Sequence, residues 1–400
     1  MNKNLSSYFN KYTLFMAFPM LMILWQNLSF VYFILMVFNS KKNFLFLKLS
    51  HWIQVVAILF GAGAIISVYD INTINGEISR GLVVLPNYLY WTLTVLFLVN
   101  ISKTINYNSV AKYIFMGLLI SLLFYFISPY IPKVPGFMNS FTPNGFAFLC
   151  ICFTAPAATY LLYKKGLLYA LLLLSVVLIT LLLSGRRAGF VLVFISSILS
   201  ISFKSFNRKY LSIGTIITLL FYLIMQLQFV EEIIQSASPR IHELIFDNEK
   251  INTEDRSLLT RKLMIEKSLI IFSQHPLTGI GLNNFTNFEV SFRGDFDGSE
   301  YVINKKAMNI TSAHNSYALL LAEGGLLLFL PLLILILFNL VRFISGYDQR
   351  PHIVNSFYLS FLFMCVHLYF ITSIVNIYAW FLIGLVTAFS TSNSFKKFKI

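Results

Sequence analysis

The sequence predicts an all-α polytopic membrane protein, with about twelve transmembrane helices and one large outer loop. Three observations predict it. Of 400 residues, 57% are hydrophobic and only 12% charged, about half the charge of a soluble domain. Such a chain cannot present a wettable surface, which excludes a cytosolic enzyme. Apolar stretches of about 20 residues, the length that crosses a bilayer as a helix, recur along it. The basic residues also sort to one side when the crossings are alternated.

The stretch 12–39 is long enough for two short helices hinged near Gln26-Asn27. Its polar lead, residues 1–11, precedes no small-residue cleavage site, so it reads as a retained span rather than a signal peptide. Further spans follow at 48–69, 83–101, 111–131, 143–163, 166–184, 188–203 and 210–230. The polar interval 231–313 comes next. After it lie 315–341 and 353–391, the latter long enough to cross twice with a break near Asn376. The chain thus divides into an N-terminal set of about nine spans (1–230), a large loop (231–313) and a C-terminal set of about three spans (314–400).

Alternating these spans from a cytoplasmic N-terminus puts 17 of the 30 Lys and Arg on one side, with Asp348 as its only acid. The other side holds 13 basic and 15 acidic residues. The positive-inside rule makes the first side, with both termini, cytoplasmic. The net charge of +14 is therefore topological, and no nucleic-acid partner is implied. Cys150, Cys152 and Cys365 lie in apolar runs with no metal-site or redox spacing.

One feature runs against the charge rule. Ser184-Gly185-Arg186-Arg187-Ala188-Gly189 forms a turn on the outer side. Two cations at a membrane boundary either snorkel to the headgroups or form an anion site. Arginine suits multidentate phosphate binding, and Gly185 and Gly189 would let a ligand approach the backbone.

Within 231–313, the run from Arg256 to Phe272 has helical apolar spacing and is ended by Pro276. Arg256 and Arg261 lie about 140° apart on a helix, so both reach one anion only if the helix starts near Arg256. A Gly- and Pro-rich turn follows from His275 to Phe285, shaped by Gly279 and Gly281. Residues 291–306 read as a solvated loop whose carboxylate spacing matches no calcium loop. At re-entry, Thr311 or Ser312 is a candidate helix cap. His314 is either an inert interfacial residue or a group that orients, or takes a proton from, a hydroxyl. Helical phase puts Tyr317 and Leu321 on its face and Glu323 half a turn away. Glu323 is therefore expected to pair with another helix, His367 being one conceivable partner.

Three elements now stand in order on one side: S-G-R-R-A-G, then R-x14-P-L-T-G-I-G-L-N-N-F from Arg261, then H-N-S-Y-x5-E-G-G from His314. This pattern resembles the O-antigen ligase/polymerase superfamily of bacterial envelope glycosyltransferases, over about 150–345 at motif level. The sequence departs from the family pattern at Arg186, where many members have Ser, at Ile265 for Trp and at Leu328 for Gly. Arg186 and Arg187 both remain candidates for the family's arginine, Arg187 being the closer match.

The resemblance implies a GT-C-like, multi-pass enzyme of the bacterial inner membrane with its site facing the periplasm. It implies inverting transfer, without metal or other cofactor, of a glycan from undecaprenyl diphosphate to a sugar hydroxyl. The acceptor would be lipid A core for a ligase, or a second lipid-linked glycan for a polymerase. Arg187 and Arg261 would hold the diphosphate, with Arg186 and Arg256 as secondary contacts. His314 would be catalytic, with Asn315 and Tyr317 orienting the acceptor. A lipid-linked glycan transporter is the reading outside this class. It is disfavoured by the lack of an internal repeat and by polar residues gathering at one face.

Overall fold

A computed structural model describes residues 49, 51–69, 78–102, 105–127, 142–202, 256–288, 290–293, 300–303, 313–372 and 376–392. The spans expected in 12–39 and 210–230 lie outside these residues. The described part contains ten α-helices: α1 Trp52–Tyr69, α2 Ile78–Asn100, α3 Tyr107–Ile127, α4 Pro143–Lys164, α5 Leu167–Leu183, α6 Arg187–Ser202, α7 Arg256–Gln274, α8 Ser316–Gly346, α9 His352–Phe370 and α10 Ile377–Thr391. Five spans, Gly81–Asn100 within α2 and those of α3, α4, α8 and α9, are long and apolar enough to cross a membrane. α1, α5, α6 and α10 are apolar but shorter. The expected break near Asn376 is the start of α10, where the Asn376 side chain caps the Tyr378 N–H at 3.0 Å.

α5 shows why these helices need lipid. Leu168, Leu172, Val176, Ile179 and Leu183 form an exposed stripe, as apolar as the buried Leu173, Leu174, Val177 and Leu181 on the other face. A helix apolar on both faces belongs inside a protein or a bilayer. α4 is the inside case. From Phe146 to Ala158 it is buried without interruption, and it packs on α3, α5, α6 and α9. Thr142 caps it by accepting the Gly145 N–H at 3.1 Å, and Pro143 occupies the first turn, where a missing N–H costs nothing.

Aromatic stacking and short polar links join the remaining helices. Trp91 of α2 and Trp380 of α10 stack with centroids 5.1 Å apart and planes 5° from parallel, and Phe60 of α1 meets Trp380 at 4.6 Å. A chain of hydroxyls and an amide ties α8, α9 and α10. The Tyr358 hydroxyl lies 2.6 Å from Ser390, Ser390 donates to Asn339 Oδ1 at 2.8 Å, and Asn339 Nδ2 donates to Thr387 at 2.9 Å. Side-chain hydrogen bonds of this kind hold helices together where water is absent.

The segment expected to be a solvated loop contains a short antiparallel hairpin instead, Val290–Arg293 paired with Glu300–Ile303. Four residues per strand are too few for periodicity to announce them. Nor is the 231–313 interval separate from the last spans. Met264, Ile271, Ile280, Phe285, Val290 and Ala313 share one small core with Leu319 and Ala322 of α8.

α1 reaches α8 through Gly63, where an added Cβ would fall 2.6 Å from the Leu327 carbonyl oxygen. Gly63→Ala is therefore expected to lower the thermal midpoint in detergent, at an overpacking cost of about 1–3 kcal/mol. An unchanged midpoint would show that α1 does not bear on α8 there.

Candidate active site

The arginine turn is built by a glycine helix end. α5 stops at Leu183, and Gly185 adopts φ 69°. Its N–H bonds the Leu182 carbonyl at 3.0 Å, while the Arg186 N–H reaches back to Leu181 at 3.5 Å. Only a left-handed residue closes a helix this way, so Gly185 is used for the cap. Gly189 is likewise a packing residue, since a Cβ there would meet Ala147 at 2.8 Å. Both glycines thus have structural uses besides the backbone approach by a ligand that the sequence suggests.

Arg186 is half-buried and sits in the electrostatic reach of Tyr125, whose hydroxyl contacts the Ser184 side chain. Tyr125 stacks on Phe146 at 4.4 Å. Arg187 is the first residue of α6 and Arg256 the first of α7, but their side chains lie outside what the structure describes.

Arg261 stands one turn further along α7, half-buried, close enough to both His314 and His367 to act on them electrostatically. The buried face of α7 is Met264, Lys267, Ser268 and Ile271. This i, i+3, i+4, i+7 stripe includes a lysine that sequence reasoning did not single out. Lys267 Nζ lies 4.8 Å from the centre of the Phe285 ring, a contact that offsets part of the cost of burying the cation.

The loop after α7 then enters α8. Gly325 breaks that helix at φ 57°, ψ −153°, so Leu326 and Leu327 do not donate to the carbonyls four residues back. They donate to the loop, Leu326 N–H to Pro276 O at 2.9 Å and Leu327 N–H to Leu277 O at 3.1 Å. The freed carbonyls of Ala322 and Glu323 accept the N–H groups of Ile280 and Gly281, both at 2.9 Å. Gly279 and Gly281 both have positive φ, 67° and 90°. A Cβ on Gly279 would lie 2.6 Å from the Ala322 oxygen, and one on Gly325 would lie 2.5 Å from the Leu277 carbonyl. Both glycines at the crossing are required by close approach.

Glu323 completes the joint. Its carboxylate accepts the Phe285 N–H at 3.1 Å and also meets the backbone N–H groups of Asn283 and Asn284. The partner expected from another helix, His367 included, is therefore replaced by loop backbone. Three amides converging on one carboxylate satisfy a buried anion better than a lone imidazole would.

His314 lies outside the helix. It takes φ 50° and precedes Asn315, the N-cap, whose Oδ1 accepts from Tyr317 N–H at 2.9 Å and Ala318 N–H at 3.0 Å. Neither Thr311 nor Ser312 is the cap, and helical phase does not set the direction of His314. Histidine is among the few residues found left-handed with any frequency, and such strain collects at functional sites. Ser316 Oγ donates to the Ile371 carbonyl at 2.7 Å and the Tyr317 hydroxyl to the Cys365 carbonyl at 2.8 Å, which pins the end of α9 beside His314. Asn315 Oδ1 and the Tyr317 hydroxyl thus have scaffold partners. Burial, and secondarily the Arg261 charge, hold the His314 imidazole below its ordinary value of 6.5.

Glu323→Ala is expected to strand the buried Phe285 N–H at a cost of about 1–3 kcal/mol. Amide hydrogen exchange at 283–285 should accelerate, with Glu323→Gln intermediate because it keeps an acceptor oxygen. Exchange unaltered in both variants would show that the carboxylate does not hold the loop.

The O-antigen ligase family model matches residues 169–333. No curated protein matches the chain. The matched stretch carries the arginine turn, α7, the inserted loop and the His314 end of α8 in that order, and it supports placing this chain in the O-antigen ligase/polymerase superfamily.

Proposed function

We propose that this membrane protein transfers a glycan from undecaprenyl diphosphate to a sugar hydroxyl, as an O-antigen ligase with lipid A core as acceptor. The observation that carries the proposal is Arg261 of α7 within electrostatic reach of His314, with the loop after α7 bonded into the break of α8 at Gly325. The proposed architecture has about twelve crossings, a GT-C-like arrangement, both termini in the cytoplasm and the site facing the periplasm. The parts are the spans of 1–230, the outer segment 231–313 and the spans of 314–400.

In this mechanism the diphosphate lies against Arg261 and Arg187, with Arg186 and Arg256 as further contacts. The acceptor oxygen attacks the anomeric carbon from the face opposite the diphosphate. The bond from that carbon to the diphosphate oxygen breaks, and undecaprenyl diphosphate leaves with the electron pair. Guanidinium groups neutralise the charge that develops on it, as positioned cations do for a leaving phosphate elsewhere. The acceptor's proton passes to the His314 imidazole, which burial and Arg261 favour in the neutral form a base needs. Asn315 and Tyr317 hold the helix start from which His314 projects. A polymerase would use the same donor chemistry and differ in its acceptor, a second lipid-linked glycan.

A reconstituted assay with undecaprenyl-diphosphate glycan, with and without lipid A core, tests this. A single shifted product that needs lipid A core is expected, and it should be lost in His314→Ala and Arg187→Ala. A ladder from donor alone would make the protein a polymerase. Movement of the lipid across the bilayer with no new glycosidic bond would replace transfer by transport.

The pH dependence has a defined sign. His314 binds a proton at about 6.5 when unfolded and only at lower pH when folded. Acidification below 6.5 therefore favours the unfolded chain, and the His314 contribution to stability is lost as pH falls from there. For the same reason the acid limb of the kcat/KM profile is expected below 6.5. A limb at or above 6.5 would mean that the titrating base is another group.

A further inference from the structure

His367 is a polar group that the mechanism above does not use. It lies in the last turn of α9 and is 4% exposed. Neither ring nitrogen has a hydrogen-bond partner among the described residues. The ring stacks on Phe148 of α4, with centroids 5.5 Å apart and planes at 25°, and it stands within electrostatic reach of Arg261. The carbonyls of Cys365 and Ile371, on either side of it in sequence, bond to Tyr317 and Ser316. His367 is thus held at the level where α8 begins.

Stacking on Phe148 needs an aromatic ring and nothing more. Phenylalanine would supply it without burying two polar nitrogens, which are costly where no partner meets them. Glu323, the partner suggested by sequence, is engaged by loop amides. A ligand that reached the imidazole would also feel the Arg261 charge, which suits that place to an anion.

We infer that His367 is a binding residue for the donor, giving an N–H hydrogen bond to a diphosphate oxygen beside Arg261. This rests on the proposed use of Arg261 as a diphosphate ligand. The bond strengthens as negative charge moves onto the diphosphate when the glycosidic bond breaks, so it serves both binding and departure.

The decisive variant is His367→Phe, which keeps the ring and removes the polar atoms. A purely structural histidine predicts a thermal midpoint unchanged or higher and full activity. The inference predicts the same stability, with kcat/KM down about 10- to 100-fold and undecaprenyl diphosphate binding weakened to a similar degree. A stable variant with wild-type kcat/KM and binding overturns it. Should the Phe variant fail to fold, His367→Gln and His367→Leu decide. Gln keeps a donor and is expected to exceed Leu about tenfold in kcat/KM and in undecaprenyl diphosphate binding. Equal values for the two, or failure of both to fold, overturn the inference. The binding measurement separates this from the transferase reading. If wild type binds undecaprenyl diphosphate but forms no glycosidic bond, the transferase reading fails. His367 then stands or falls on whether the Phe variant, or Gln against Leu, alters that binding. Absence of binding by wild type overturns both.

Discussion

The site depends on an exchange of main-chain hydrogen bonds. Two bonds that a continuous α8 would make across Gly325 are given up, and four are made with residues 276–281. In a bilayer no water replaces a missing bond, so a helix break survives only where protein satisfies the freed groups. The inserted loop does this on both sides of the break. It also carries α7 with it, which brings Arg261 to His314 from more than 50 residues away in sequence.

That exchange explains which parts of the site were legible in the sequence. The glycines at 279, 281, 324 and 325 stood out because each belonged to a recognisable run, but a run does not say which glycine faces which. Gly279 and Gly325 are tight because of each other's loop and helix, a relation of tertiary backbone that no local pattern carries. Glu323 was read correctly as a buried carboxyl in need of a partner. Its partner was missed because backbone N–H groups leave no mark in a sequence. His314 stood out as a candidate from its place at the mouth of a span. Its direction was misjudged because the helix begins after Asn315, one boundary residue of the kind that patterns place poorly. Gly185 and Gly189, read from the sequence as access for a ligand, also serve a helix cap and a helix contact, which the sequence did not mark.

The apolar spans were the easiest part to read, and for a physical reason. Hydropathy over about 20 residues is an average that tolerates errors at any one position. What the average hides is which helix is central. α4 and α5 are both largely apolar, yet one is enclosed by its neighbours and the other keeps an exposed stripe. At its first turns α4 sends Phe146 toward Tyr125, beside the arginine turn, and Phe148 toward His367, beside Arg261. These two rings lie about 200° apart on the helix. The buried helix therefore touches both Tyr125, near the arginine turn, and His367, a role its sequence alone does not announce.

The break in α8 also bears on how the protein is made. Its two halves can pair as an ordinary helix as soon as they leave the ribosome, because those bonds are local. The loop can replace them only after α7 has folded and reached α8, since its bonds span 42–50 residues in sequence and non-local contacts form late. Entry of the loop is then among the last events of assembly. Until it happens Arg261 and His314 are apart, so a nascent or half-inserted chain has no assembled site. Maturation and activation become a single event.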